Sequence, residues 1–278
     1  MQVKIEEKFI QSKTGNLEDC EDAIYTDDSY FAVIDGATSK DGKKWGQYTS
    51  GKLISRLLCR AFSELDPELN PQQAVGFLTE FVQQYYESEN CVSEMEENPQ
   101  KRIIASVAAI NMKRREIWSV GDCYRVIGSQ IKRRPRMGDE ICAKLRAMYL
   151  ELELLNGKTI DELRSHDTGR EYILPILKQQ AVFHNNPNSG HYWCPVIDGF
   201  PVPAAGISVD VIENGVQTAI LASDGYPVLK PELSESEDAL HRIIKEDPLL
   251  FRQCKELKCV IPGNLSFDDR TFLKLSLS

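Results

Sequence analysis

Strand-like segments in this sequence come in runs joined by short turns, and helical segments come in pairs between those runs. That ordering constrains the fold more than any other feature. A doubly wound parallel sheet alternates single strands with single helices, whereas turn-linked strands pair antiparallel and take their helices as outer layers. The first run contains the alternating Val3 and Ile5, then AIYTDDSYFAVID, two apolar stretches around an Asp27-Asp28-Ser29 turn. From about Gln47 the period becomes helical, with Leu53, Ile54, Leu57, Leu58 and Phe62 on one stripe. A second helix begins with Asn70 as N-cap and Pro71 as first helical residue, and Ala74, Leu78, Val82 and Tyr85 form its apolar face. RIIASVAAIN, EIWSV and a strand through Tyr124, Val126 and Ile127 then predict a meander, with turns at Lys113-Arg114-Arg115 and Gly121-Asp122. GISVDVI and VQTAILAS flank Asn214-Gly215, a strong hairpin signal. A helix pair from Ser234, with Ser234 and Glu237 as a capping box, precedes a closing strand, TFLKLSLS. The expected architecture is α+β.

Residues from about 129 to 200 break this rhythm with a basic run (KRRPR), a helix carrying Ile141, Leu145, Met148 and Leu152, and the Pro- and Asn-rich FHNNPNSGHYWCP. The segment reads as a variable insertion in a single domain spanning 1–278. No apolar run reaches the ~20 residues of a membrane helix, and the N-terminal MQVKIEEKFI has no signal-peptide core. No membrane partner and a cytoplasmic setting are therefore expected. The eight cysteines include no CxxC pair and suit reduced thiols. A net charge of −9 repels a phosphate backbone at long range, so nucleic acid is not an expected partner.

The informative residues are acidic. FAVID ends in Asp35-Gly36, EIWSV in Gly121-Asp122 and AILAS in Asp224-Gly225, while Asp268-Asp269 precedes the last strand. A single Asp-Gly at a strand end is an ordinary turn. Carboxylates converging at one edge would instead repel one another and raise their pKa values unless a cation neutralised them. Oxygen ligands without a nearby histidine suit Mg²⁺ or Mn²⁺ rather than zinc. A haloacid-dehalogenase-type phosphatase needs Asp-x-Asp after its first strand, and Val33-Ile34-Asp35-Gly36 lacks the first aspartate.

Taken in order, CEDAI, FAVIDGAT, EIWSVGD, AILASDG and SFDDRTFLKLSL resemble the metal-dependent protein phosphatases of the type 2C (PPM) class, whose ED, DG, GD, SDG and DD or DN motifs occur in this sequence. The chain is more similar to divergent bacterial members than to eukaryotic ones. The resemblance covers the whole chain apart from the insertion. It implies a four-layer sandwich of two antiparallel sheets flanked by helix pairs, with a binuclear Mn²⁺ or Mg²⁺ centre at one end. By position, Asp35 would bridge the metals and Gly36 would offer its carbonyl. Asp224 and Asp268 would ligate the second metal, Glu21 and Asp22 would hold metal-bound waters, and Asp122 would serve a weaker third ion. Asp22, Asp35 and Asp224 would carry the catalysis. Two ions ~3.5–4 Å apart activate a water for in-line attack at phosphorus, with no protein nucleophile. The implied activity is serine/threonine phosphatase action on a phosphorylated protein.

The sequence departs from the family in two places. Leu17 stands five residues before Asp22, where an arginine usually grips the phosphate; Lys13, Lys43 or Lys44 are the available substitutes, without its bidentate fork. DGxGG is DGATS. A catalytically weak or inactive relative that binds a partner through the same fold is therefore the alternative reading. Within the insertion, His184, His191 and Cys194 have no evident fourth zinc ligand and match no common finger spacing, which leaves a loop packed by Tyr192 and Trp193. KRRPR, with Lys132, Arg133, Arg134 and Arg136, either recognises phosphate or an acidic partner or is a solvated turn. Asp198 precedes a glycine but lies in the insertion, outside the motif set.

Overall fold

The computed structural model describes residues 3–40 and 42–278. In chain order it has β1 (Val3–Gln11), β2 (Ala23–Thr26), β3 (Tyr30–Gly36), a short hairpin of β4 (Lys44–Trp45) and β5 (Tyr48–Thr49), and helices α1 (Ser50–Glu64), α2 (Pro71–Ser88) and α3 (Val92–Glu97). Strands β6 (Ala105–Asn111), β7 (Glu116–Val120), β8 (Tyr124–Ile127) and β9 (Gln130–Lys132) follow, then helices α4 (Met137–Leu155), α5 (Ile160–Ser165) and α6 (Thr168–Gln179). The chain ends through β10 (Ser208–Val211), β11 (Thr218–Ala222), α7 (Leu233–Glu246) and β12 (Arg270–Leu277).

The main strands form two five-stranded antiparallel sheets, the first ordered β10-β7-β6-β3-β2 and the second β1-β12-β11-β8-β9. Period-2 alternation in the central strands sends one set of side chains inward and the other outward. Phe31, Val33, Ala108, Ile110 and Ile117 of one sheet meet Ala219, Leu221, Leu273 and Leu275 of the other in a buried layer between them. The opposite face of the first sheet, through Tyr30, Ala32, Ile34, Val107 and Trp118, packs on α1 and α2. The outer face of the second sheet is covered differently: Tyr226, Leu229 and the start of α7 lie over Tyr124, Val126, Ile220 and Phe272. The fold is α+β, with helices outside paired antiparallel sheets.

Two expected strand connections turn out to be crossovers. β7 and β8 lie in different sheets, so the meander stops at β7, and Gly121, at φ +90°, turns the chain from one sheet to the other. The Asn214-Gly215 turn likewise joins β10 to β11 across the two sheets rather than closing a hairpin. Ile212 before the turn and Ala219 after it both fill the inter-sheet layer, which a flat hairpin would leave half empty. β9 extends the second sheet three residues into the expected insertion. At the insertion's other end Ile197 bridges to Ala105.

Helix α2 starts as expected, with the reciprocal Asn70–Gln73 capping box and Pro71 at its start, but its buried stripe ends on Tyr86 instead of Tyr85. Ala74, Leu78, Val82 and Tyr86 are spaced four apart and hold one face. Helix α4 buries the face opposite to the one expected. Ile141, Met148 and Leu152 are exposed, while Cys142, Ala143, Ala147 and Leu150 are buried around Arg146. The Arg146 guanidinium donates to Asp167 at 2.6 Å and to the carbonyls of Leu249 (2.9 Å), Leu250 (3.2 Å) and Glu256 (2.9 Å), and this fixes the rotation of the helix. In place of a helix pair from Ser234 there is the single helix α7, whose N-cap, Glu232, makes no side-chain cap bond. Glu237 is held instead by Arg270 and the Tyr226 hydroxyl, each at 2.7 Å. Among the described residues no helix is long and apolar enough to cross a membrane.

Candidate metal centre

Asp35 lies near the end of β3, directly opposite Ser106 in the β3–β6 register. Gly36 can follow it because the backbone there packs on Gly51 at the start of α1: a Cβ on Gly36 would fall 2.2 Å from the Gly51 carbonyl oxygen. Ser106 in turn donates to Asp122 Oδ1 at 2.6 Å, so the serine across from Asp35 positions the aspartate that follows β7. Asp224 follows β11 in the other sheet. The two sheet ends thus bring Asp35, Asp122 and Asp224 together, with one carboxylate oxygen of each within 4.8 Å of the others. Asp268, just before β12, lines the same pocket but outside that triad. Its Oδ2 is 2.7 Å from Lys258 Nζ and its Oδ1 3.8 Å from Lys13 Nζ.

Glu21 and Asp22 are buried beside this cluster. Asp269, itself buried, fastens the segment by accepting from the backbone N–H of Lys13 at 2.8 Å and of Glu21 at 2.7 Å. Glu21 Oε2 accepts from the Thr38 hydroxyl and from Lys13 Nζ. Glu21 Oε1 and Asp22 Oδ2 are buried and have no hydrogen-bond partner among the described residues.

Burial pushes the Asp35 carboxyl well above the usual carboxylate range, and Asp224, Asp22 and Asp122 reinforce the shift. Asp22 moves the same way, through burial and then Asp269. Asp224 is pushed up to about 7 by burial and Asp122, against the opposing pull of Arg133. Asp122 behaves differently. Burial disfavours its charge, yet Arg136 and Arg133 together hold it below the ordinary value. Arg136 Nη2 sits 3.0 Å from Asp122 Oδ1, and Arg133 Nη2 sits 3.4 Å from Asp224 Oδ2 and 3.8 Å from Asp122 Oδ2. Asp268 is also held low against its burial, by Lys258 and Lys13.

This donor set fits a hard divalent cation. Three carboxylates from separate strand ends converge, Asp35 carries no compensating cation within salt-bridge distance among the described residues, and two buried carboxylate oxygens nearby are unpartnered. All the donors are oxygen. The arrangement places Asp122 rather than Asp268 in closest company with Asp35 and Asp224.

Sequence reasoning missed Asp269, Ser106 and the reach of the KRRPR arginines. Asp269 could have been found as the partner of Asp268, whereas nothing in the sequence aims Arg133 and Arg136 at the aspartates that follow β7 and β11. Among the substitutes for the missing arginine, Lys13 reaches the site. Lys43 lies over the Trp45 ring at 4.1 Å, Lys44 is exposed in β4, and Leu17 is exposed at 53%. Elsewhere, His184 and Cys194 meet in a short parallel bridge, while His191 is exposed. Asp198 is fully buried, away from the triad, and paired with Arg102 at 3.1 Å.

No protein-family model matches this chain, and no curated protein sequence does so. Solved structures align with it along its length at low identity. The serine/threonine phosphatase PstP/Ppp of Mycobacterium tuberculosis covers 100% of this chain and 97% of its own, at 16% identity and a TM-score of 0.46. Serine/threonine phosphatase Stp1 from Staphylococcus aureus covers 100% and 96%, at 13% identity and a TM-score of 0.48. RsbX, solved in complex with magnesium, covers 100% of both chains at 12% identity and a TM-score of 0.46.

Proposed function

We propose that this chain is a metal-dependent phosphoester hydrolase acting on phosphoserine or phosphothreonine in proteins. The observation that carries the reading is the meeting of Asp35, Asp122 and Asp224 from three strand ends in a pocket that also contains Asp268. Asp35, Asp224 and Asp268, with the Gly36 carbonyl, would hold two Mn²⁺ or Mg²⁺ ions, and Asp122 would serve either this pair or a third ion. Bound ions of this kind lower the pKa of a water and offset the charge of a phosphate. Glu21 Oε1 and Asp22 Oδ2, which have no hydrogen-bond partner among the described residues, would accept hydrogen bonds from ordered water and so orient it. Ser106 and Arg136 fix the rotamer of Asp122. The eight unpaired cysteines suit a reducing, cytoplasmic setting.

The test is hydrolysis of a chromogenic phosphate ester and of a phosphoserine peptide by chelator-treated protein, before and after Mn²⁺ or Mg²⁺ is returned. Activity that disappears and returns, with no trappable phosphoenzyme, is expected. Full activity after verified metal removal refutes the mechanism, and none under any condition favours the partner-binding alternative.

A further inference from the structure

Two cations beside the carboxylate cluster, Lys40 and Arg170, have acidic groups in their surroundings but no ion-pair partner among the described residues. The pocket holding the carboxylates shares Thr38, Lys40, Arg170, Lys258 and Phe267 with a second cleft. Of the cations on this shared rim, Lys258 is paired with Asp268. Lys40 and Arg170 form no ion pair among the described residues, and the Arg170 guanidinium donates to the Leu257 carbonyl at 3.2 Å. Burial holds the Lys40 ammonium below its usual pKa; Asp139 opposes this, and Arg136, Arg170 and Lys258 add to it. Burial also lowers Arg170, with Asp167 opposing. Withdrawn cations that repel one another are costly to the fold unless an anion joins them.

The two residues come from different parts of the chain. Lys40 is four residues beyond Gly36, on the loop leaving the carboxylate cluster, and Arg170 is in the first turn of α6, within the insertion. Both line the carboxylate pocket and the second cleft alike, at the join between the two. A group bound there is a neighbour of the scissile phosphate, since adjacent residues of an extended peptide are only ~3.3–3.6 Å apart along the chain.

We propose that Lys40 and Arg170 form a second anion subsite, which takes a carboxylate or phosphate flanking the scissile phosphoester, so that the preferred substrate is a phosphopeptide with an acidic or phosphorylated neighbour. This rests on the hydrolase reading above and adds a substrate class to it. The guanidinium supplies a planar fork for either anion and the ammonium a point charge. The insertion would influence substrate choice through Arg170.

Two measurements on the full chain test the subsite. In the first, chelator-treated protein is titrated calorimetrically with inorganic phosphate. Wild type should bind, and Lys40→Gln/Arg170→Gln should bind about tenfold or more weakly, as expected for the loss of two charge-assisted contacts. No binding by wild type, or equal binding by both, overturns the subsite. In the second, Mn²⁺-loaded protein is given phosphothreonine peptides whose neighbour is Ala, Glu or phosphoserine. Wild type should favour the acidic or phosphorylated neighbour by about tenfold in kcat/KM, with the ratio near one in the variant; a preference for only one neighbour identifies the anion. A ratio that survives in the variant overturns the proposal. Should the double variant not fold, Lys40→Gln alone, on the loop, is read the same way. If no peptide is hydrolysed, the hydrolase reading fails, and the phosphate titration still decides the subsite.

Discussion

Asp35→Asn isolates the one carboxylate of the triad that has no ion-pair partner among the described residues. Asp122 is offset by Arg136 at 3.0 Å and Asp224 by Arg133 at 3.4 Å, whereas Asp35 faces Asp224, Asp22 and Asp122 with a strongly raised pKa. Two unit charges about 5 Å apart interact by about 3 kcal/mol at an effective dielectric of about 20. Asp224 is 31% exposed, so solvent screening reduces the repulsion relieved by the asparagine to about 1 kcal/mol. In chelator the variant should therefore melt at the same temperature as wild type or about 2–4 °C higher. With metal the sign reverses. Losing one of three convergent anionic ligands should weaken Mn²⁺ binding and reduce turnover by about 10³-fold or more, roughly 4 kcal/mol. Asp161, exposed on α5, supplies the control substitution. Asp198 is unsuitable because its Arg102 pair is buried and its removal would disturb the fold. The assays are Mn²⁺ calorimetry, chelator melts and ester hydrolysis. A normal Mn²⁺ isotherm for Asp35→Asn, or a clear loss of stability in chelator, would falsify the assignment.

Arg136→Met should cost about 3 kcal/mol in chelator, because it strips the buried Asp122 of its nearest cation, and Mn²⁺ should restore more stability to the variant than it adds to wild type; a deficit that Mn²⁺ leaves untouched counts against a cation at Asp122. Gly36→Ala should destabilise by about 3 kcal/mol in chemical denaturation, since its Cβ would lie 2.2 Å from the Gly51 carbonyl oxygen and backbone must move; an unchanged midpoint refutes that close approach. His184 has its pKa lowered to about 3 by burial, and then by Arg136, Lys40 and Arg102, so the unfolded chain binds a proton first. The stability it contributes is present above about pH 6.5 and is lost as pH falls toward about 3, by no more than about 1.4 kcal/mol per pH unit. His184→Gln should flatten the acid limb of a stability–pH curve, and identical curves would remove His184 as its source.

Asp35, Asp122 and Asp224, which the structure brings together, were legible in the sequence because each comes where an apolar strand stops and has a glycine beside it. The α2 start was legible for a similar reason: Asn70, Pro71 and Gln73 are local signals, and their partners lie within one turn. What failed was long-range. Alternation shows that β7, β8, β10 and β11 are strands but not which sheet each joins, and the two crossovers follow from filling a layer between sheets. The α4 stripe failed because both faces carry apolar residues, and a buried arginine with four partners decided between them. Arg133 and Arg136 looked like a solvated turn for a similar reason: Asp224 is distant in sequence, and Asp122 lies across β8 and β9, so no local spacing marks either as a partner.

Those arginines change what the carboxylate cluster implies. Crowded buried acids are costly without cations, and on sequence alone every member of the set would share that cost. Here two of the three converging aspartates already have guanidinium partners, so within the triad the need for a further cation falls most heavily on the third. The uncompensated charge is on Asp35, with Asp22 and its unpartnered oxygen behind it. Asp35 belongs to one sheet and Asp224 to the other, so an ion held between them would also hold the two sheet ends together. Its binding free energy would appear as stability of the sandwich in proportion to the logarithm of its concentration. Ion affinity and inter-sheet packing would then be one coupled quantity, and substitutions deep in the Leu221 and Leu273 layer would act on ion affinity without touching the carboxylates.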